Sequence, residues 1–223
     1  MSMLKMPPRT TAAVSLSESP AELSRVERKK RDKLDRIKRS ARALFARKGF
    51  DATTTREIAR AADVGVGTVF LHAGSKQDLL VMIFREEAGH AVDAAFASMT
   101  DQPLLDQVLR VFNALIGHHE RNLGLARVFV KELAFVDDER HGRAVFMSDL
   151  FRRLAALIDD AQRRRELRAE VPSYLLAKNL FAIFFAYLQE WLGAPGLSSD
   201  QRDVALRAAL ELHLSGLRPS GEK

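Results

Sequence analysis

The residues best placed to do chemistry lie in one run, 54–72, which reads Thr-Thr-Arg-Glu-Ile-Ala-Arg-Ala-Ala-Asp-Val-Gly-Val-Gly-Thr-Val-Phe-Leu-His. Nothing in it resembles a nucleophile set beside a base. No HExxH, P-loop, GxSxG or GxGxxG pattern occurs elsewhere in the chain either. The chemistry on offer is non-covalent recognition. Thr54 can accept from the backbone N–H of Glu57 while the Glu57 carboxylate reaches back to the N–H of Thr54, a reciprocal pair that starts a helix. Ile58, Ala59 and Ala62 make the inner face of that helix. Ala59 is small where two helices cross steeply, and Val64 and Val69 fill the angle between them. Asp63 sits where the turn needs a left-handed backbone, which Asp tolerates better than most residues. Gly65 caps the second helix, and Gly65 with Gly67 strips away side-chain bulk so that backbone can approach a phosphate or a base edge. The run is a helix-turn-helix, whose natural ligand is the major groove of DNA.

The elements that must hold this motif are helical. Residues 1–20 mix Pro, Ser, Thr and Ala without periodicity and read as a flexible arm. From Ala21 the pattern is helical and charged. Leu34, Ile37, Ala41, Leu44 and Phe45 form a core stripe that Gly49 ends. Ser75 and Asp78 are placed as a second capping box, opening a long helix. Later breaks fall near 101–103, 121–124, 136–139, 168–172 and 193–199. The pattern predicts an all-α fold of about nine helices with no strand. The division it predicts is a 1–20 arm, a 21–74 DNA-binding unit with a basic N-terminal extension, and a 75–223 helical body.

Charge supports a nucleic-acid partner. The 223 residues carry a formal +6, yet residues 1–48 hold 14 Lys or Arg against 5 acids, leaving 21 basic and 24 acidic residues for the remainder. A basic end beside a mildly acidic body suits phosphate binding driven by counterion release. The basic stretch 25–31 is expected to enter an adjacent minor groove. The recognition helix lacks Arg, Lys, Asn and Gln, so bidentate base contacts are few and methyl contacts from Val66 and Thr68 carry more of the reading. The chain has no cysteine, which excludes disulfides and thiolate metal sites. No apolar run reaches the ~18 residues of a membrane span, and the N-terminus lacks the apolar core of a signal peptide. A cytoplasmic protein without a cofactor is expected.

Residues 54–80, with Gly67-Thr68-Val69-Phe70 followed by Ser75-Lys76-Gln77-Asp78-Leu79-Leu80, resemble the DNA-binding domain of the tetracycline-repressor (TetR) family. So does the preceding helix end, Ala41-Arg42-Ala43-Leu44-Phe45-Ala46-Arg47-Lys48-Gly49-Phe50. The resemblance implies a homodimer with an N-terminal three-helix DNA-binding domain and a variable C-terminal domain that often binds a small effector. Carried over by position, it implies that Thr55 and Arg56 face DNA from the second helix. Gly65, Val66, Gly67, Thr68 and Leu71 would then line the groove. His72 stands where the family usually places a phosphate-binding Tyr, and Lys76 matches its phosphate-binding Lys.

In the C-terminal body the aromatic residues, Phe112, Phe129, Phe146 and Phe184 among them, suit either ordinary core or an apolar cavity. His119 and Arg127 are candidates to orient a mainly apolar effector there, with His118, Glu132 and Asn179 as further polar groups. The segments 173–192 and 200–217 are too apolar to be satisfied by one face, as expected of two helices that build a four-helix dimer interface. A palindromic operator and a repressor released by its effector follow from that picture. The alternatives are a ligand-independent helix-turn-helix regulator, an architectural DNA-binding protein, and, more weakly, a helical enzyme or carrier. The His118-His119-Glu120 and Asp137-Asp138-Glu139-His141 runs are poor metal sites because adjacent helical residues point apart.

Overall fold

The structure, a computed structural model, describes residues 25–132, 143–194 and 196–219. Among them are nine helices and no strand: α1 (Arg25–Lys48), α2 (Thr55–Ala61), α3 (Val66–His72), α4 (Lys76–Ala97), α5 (Leu104–Glu120), α6 (Leu123–Glu132), α7 (Arg143–Arg163), α8 (Ser173–Gly193) and α9 (Ser199–Ser215). The predicted 1–20 arm, the helix start at Ala21 and the predicted break at 136–139 lie outside the described residues.

The predicted stripe on α1 is the buried one: Ile37, Ala41 and Phe45 are sealed against Ile58 and Ala59 of α2, Val69 of α3 and Leu79 and Leu80 of α4. Gly49 ends α1 with φ +83°, its N–H returning to Phe45 O at 3.0 Å, a geometry that a side chain would strain. At the start of α4, Ser75 Oγ accepts from Asp78 N at 3.0 Å, but only that half of the expected capping box forms. Asp78 is one methylene shorter than the Glu that completes the box at α2, so its carboxylate does not reach back.

Helix α4 runs on into the body, where Ile83, Phe84, Ala88 and Val92 are buried against α5, α6 and α7. Leu150, Leu154 and Ile158 of α7 and Leu176 and Leu180 of α8 are almost wholly sealed, and Phe112 of α5 stacks on Phe184 of α8 with ring centroids 4.5 Å apart. Two long-range polar contacts and one local pair fasten this packing. Glu166 Oε2 accepts from Leu104 N at 3.0 Å, capping α5, which Pro103 cannot cap with a side chain. Arg202 is buried, pairs with Glu120 at 3.0 Å and Asp203 at 2.7 Å, and lies over the Trp191 ring at 4.3 Å, tying α9 to α5 and α8. Arg164 pairs with Glu166 at 2.9 Å, after which Arg165 turns at φ +61°, so the helix ends at Arg163, ahead of the break expected at 168–172.

Two adjacent histidines are buried at the junction of α1, α4 and α5. Neither ring nitrogen of His118 has a hydrogen-bond partner among the described residues; Glu87 Oε2, 3.6 Å from Nδ1, is too far and is itself paired with Arg42. Burial, helped by the charges of His119, Arg121 and Arg42, pushes His118 down to about 4. Burial also lowers His119, partly opposed by its bond to Leu115. The native state therefore holds both rings neutral, whereas the unfolded chain takes up protons below ~6.5. Stability should be level above that pH and should fall as pH drops from about 6.5 toward 4. The urea midpoint measured from pH 7.5 to 4.5 should show this decline, and His118→Leu should make it shallower. A midpoint unchanged between pH 7 and 5 would exclude neutral burial.

Candidate functional site

The site is built from its capping chemistry upward. Thr54 Oγ1 accepts from Glu57 N at 3.3 Å, and Glu57 Oε2 accepts from Thr54 N at 2.8 Å, the full reciprocal box expected from the sequence. Lys48 Nζ donates to Glu57 Oε1 at 2.6 Å, and this bond, with those to Thr54, holds the carboxyl down at about 2. The box thus stays ionised across any physiological pH. The turn passes through Asp63 at φ +51°, while Val64 N reaches Ala59 O at 3.0 Å. Asp63 is in the left-handed region as the turn demanded.

At 100° per residue, a helix with Val69 pointing inward must send Gly67 and Leu71 outward and Thr68 and Phe70 to the flanks. The structure has this order: Val69 is 2% exposed, Leu71 85% and Phe70 50%, while Thr68 and His72 are half-buried. Val66 packs partly against the core, leaving only part of it for a groove. Phe70 was not among the expected contacts, although the same wheel, anchored on Val69, places it on a flank where half of it is exposed. A Cβ on Gly67 would meet nothing within 4 Å, so nothing inside the protein requires glycine there. On α2, Arg56 is exposed and Thr55 half-buried.

The basic extension is helical, as the charged pattern predicts, but this shape does not suit the minor-groove insertion expected of 25–31. Residues from Arg25 onward are helical, and an α-helix ~10–12 Å across does not fit a minor groove ~6 Å wide. The reading of 25–31 as an inserted arm is therefore replaced by a rigid basic helix that can follow phosphates from outside. It lies beside the recognition helix: His72 is shifted below its ordinary range first by burial and then by the positive charges of Lys30 and Lys33. Lys30 and Lys33 of α1 thus lie near the C-terminal end of α3.

Lys76 has a role that the resemblance did not imply. Its Nζ donates to Phe50 O at 2.8 Å and Thr53 O at 3.0 Å, approaches Asp51 O at 3.4 Å, and sits 4.2 Å from the centre of the Phe50 ring. All three N–H groups of the ammonium serve the loop between α1 and α2, which leaves none for a phosphate in this arrangement.

The body encloses a small cavity of about 60 Å³ whose exposed lining is wholly apolar. Of the expected ligand residues, His119, Phe129, Phe146 and Phe184 line it together. Phe112 stands behind, stacked on Phe184. Arg127 does not converge on it: its Nε donates to Leu192 O at 2.7 Å at the C-terminal end of α8, because an exposed position on α6 faces that helix end and its free carbonyls. Asn179 is exposed, and His118 faces α1 instead. Phe181, Phe185 and Leu188 complete the wall with Phe184. With Phe184 they follow an i, i+3, i+4, i+7 spacing, the signal in the sequence that would have placed them on one face of α8.

Two short helices crossing over a shared core, the second turning Gly67 and Leu71 outward beside a basic helix, define a helix-turn-helix DNA-binding protein. The family model for bacterial regulatory proteins of the tetR family matches residues 37–83, which span α2, α3 and their supports on α1 and α4. Residues 37–83 are therefore a DNA-binding domain of the tetR type. The chain is 29% identical over 211 residues to the HTH-type transcriptional regulator TcmR of Streptomyces glaucescens, covering 86% of each chain. It is 28% identical over 163 residues to the probable HTH-type transcriptional regulator YttP of Bacillus subtilis, covering 70% of this chain and 77% of that one. Among solved structures, FadR of Thermus thermophilus, a TetR-family repressor in complex with lauroyl-CoA, shares the fold with a TM-score of 0.66 at 23% identity, over 85% of this chain and 98% of that one.

Two substitutions separate the roles of these residues. Gly67→Ala should stabilise the free protein by ~1 kcal/mol through helix propensity alone while weakening DNA binding, read as opposite changes in thermal midpoint and DNA affinity. Lys76→Met should lower the thermal midpoint of the DNA-free protein, because three loop carbonyls lose their donor. An unchanged midpoint would return Lys76 to a purely DNA-facing role.

Proposed function

We propose that the chain is a repressor that binds a palindromic operator as a homodimer and is released when an apolar effector enters the body. The observation that carries this reading is the path of α4. Its first turn holds the recognition unit through Lys76, Leu79 and Leu80, and its third and fourth turns border the cavity through Arg85 and Ala88. A ligand that displaces α4 at the cavity changes the support of α3 directly, which is the differential contact an allosteric effector needs. The lauroyl-CoA complex of the Thermus thermophilus FadR supports the idea that a body of this fold can accept an apolar chain.

DNA contact in this reading falls to Thr55, Arg56, Gly65, Val66, Gly67, Thr68, Leu71 and His72, with Phe70 added, while Lys30 and Lys33 supply phosphate contacts from α1. Val204 and Leu212 on α9 and Tyr174 and Leu175 on α8 are large apolar side chains left exposed, 47–76% of each. Between them Ala182, Ala186 and Ala208 are exposed and small. α8 and α9 form an antiparallel pair, and two such pairs can close about a two-fold axis with close helix approach. That arrangement would set the recognition helices ~34 Å apart, one turn of B-DNA.

Selection of bound fragments from random DNA tests the whole reading: an inverted repeat with half-sites ~10 bp apart, centre to centre, is the expected result. Enrichment of single half-sites only would overturn the dimer. Val204→Glu with Leu212→Glu should give a folded monomer by sedimentation that has lost operator binding. Lys30→Ala and Lys33→Ala should each reduce the slope of log affinity against log salt by about 1.

A further inference from the structure

We infer that the body's cavity takes a neutral, largely apolar molecule bearing a hydroxyl, a phenol or an alcohol, whose O–H donates a hydrogen bond to Nε2 of His119. The inference rests on the effector reading above and narrows it to a chemical class.

The argument begins with the ring's other nitrogen. His119 Nδ1 lies 2.6 Å from Leu115 O. A carbonyl oxygen only accepts, so the hydrogen of the imidazole must be on Nδ1. Nε2 then carries a lone pair and no hydrogen. His119 is 4% exposed and its ring lines the cavity; Nε2 adds no surface to the cavity as it stands and has no partner among the described residues, so a ligand meets it only once side chains move. Buried acceptors are rarely left in that condition, and a ligand that supplies the missing donor removes the desolvation cost. Burial also keeps the ring neutral, so it offers an anion no charge.

The rest of the wall sets the body of the ligand. Phe129 stands 5.7 Å from the His119 ring, tilted by 50°, and Phe181 packs at 5.6 Å from Phe184 and 6.0 Å from Phe185. Such a wall favours a flat or flexible apolar skeleton and gives a second polar group nothing neutral to bond. At about 60 Å³ the cavity holds no molecule of this kind until side chains move, and Met147, unbranched and half-buried, is suited to move. Arg85 is the cationic side chain among the lining residues. A carboxylate is therefore the rival ligand.

Four probes of matched shape decide between them when titrated calorimetrically into the full chain at neutral pH: 2-naphthol, 2-methoxynaphthalene, naphthalene and 2-naphthoate. Naphthol should bind about tenfold more tightly than the ether, which keeps the ring and the oxygen but not the hydrogen. In His119→Phe that difference should vanish while naphthalene binds as before, which also reports an intact cavity. The ring ¹⁵N signal of His119 Nε2 in the unmutated protein should move with naphthol and not with the ether, giving a readout independent of the variant's folding. Equal binding of naphthol and ether, or tightest binding by naphthoate, would overturn the inference and leave the effector reading standing. No binding by any of the four would overturn both.

Discussion

The ammonium of Lys76 ties the start of α4 to the loop that leads into the helix-turn-helix. The loop leaving α1 has backbone carbonyls with no helical partner, and Lys76, from the first turn of α4, bonds to those of Phe50 and Thr53 and rests on the Phe50 ring. Since α2 and α3 lie in the chain between these two anchors, the angle of the recognition helix is set by where α4 begins. The hydrophobic contacts of Val69 and Ile58 give the unit its stability. The lysine gives it an orientation relative to the body.

Much of the motif was legible because its causes are local. The Thr54–Glu57 box, Gly49 at positive φ, Asp63 in the left-handed region and the stripe on α1 all act within four residues of themselves, so their spacing states their roles. What escaped the sequence acts across distance. Arg202 reads as a surface cation until Glu120 and Trp191, carried on other helices, are seen beside it. Glu166 caps a helix 62 residues earlier, and Arg127 a carbonyl 65 residues later. Asp78 was misjudged by one methylene, and 25–31, though read within a charged helical stretch, was assigned to a minor groove because charge alone does not say how a cationic segment meets DNA.

The cavity was partly legible. The sequence named the aromatic residues of the body, but their pattern does not say which meet core and which meet a void, so Phe112 and Phe184 could not be told apart. Adjacent His118 and His119 show why: one helical step sends them to different surroundings, the first under α1 against Glu87 and the second toward Phe129. Both rings are neutral for the same reason, yet only one borders the space a ligand would fill.

Helix α4 carries a consequence for how such proteins are recombined. Leu79 and Leu80 belong to the packing of the recognition unit and Phe84 and Ala88 to that of the body, on one uninterrupted helix. A chimera joined at the start of α4 would mate foreign side chains with α1 at Lys76, Leu79 and Leu80. The seam that preserves both halves lies inside the helix, between Leu80 and Phe84, where a crossover must keep helical register to within a single residue. New operator specificities are then more readily obtained by exchanging the outward residues of α3 than by exchanging whole modules.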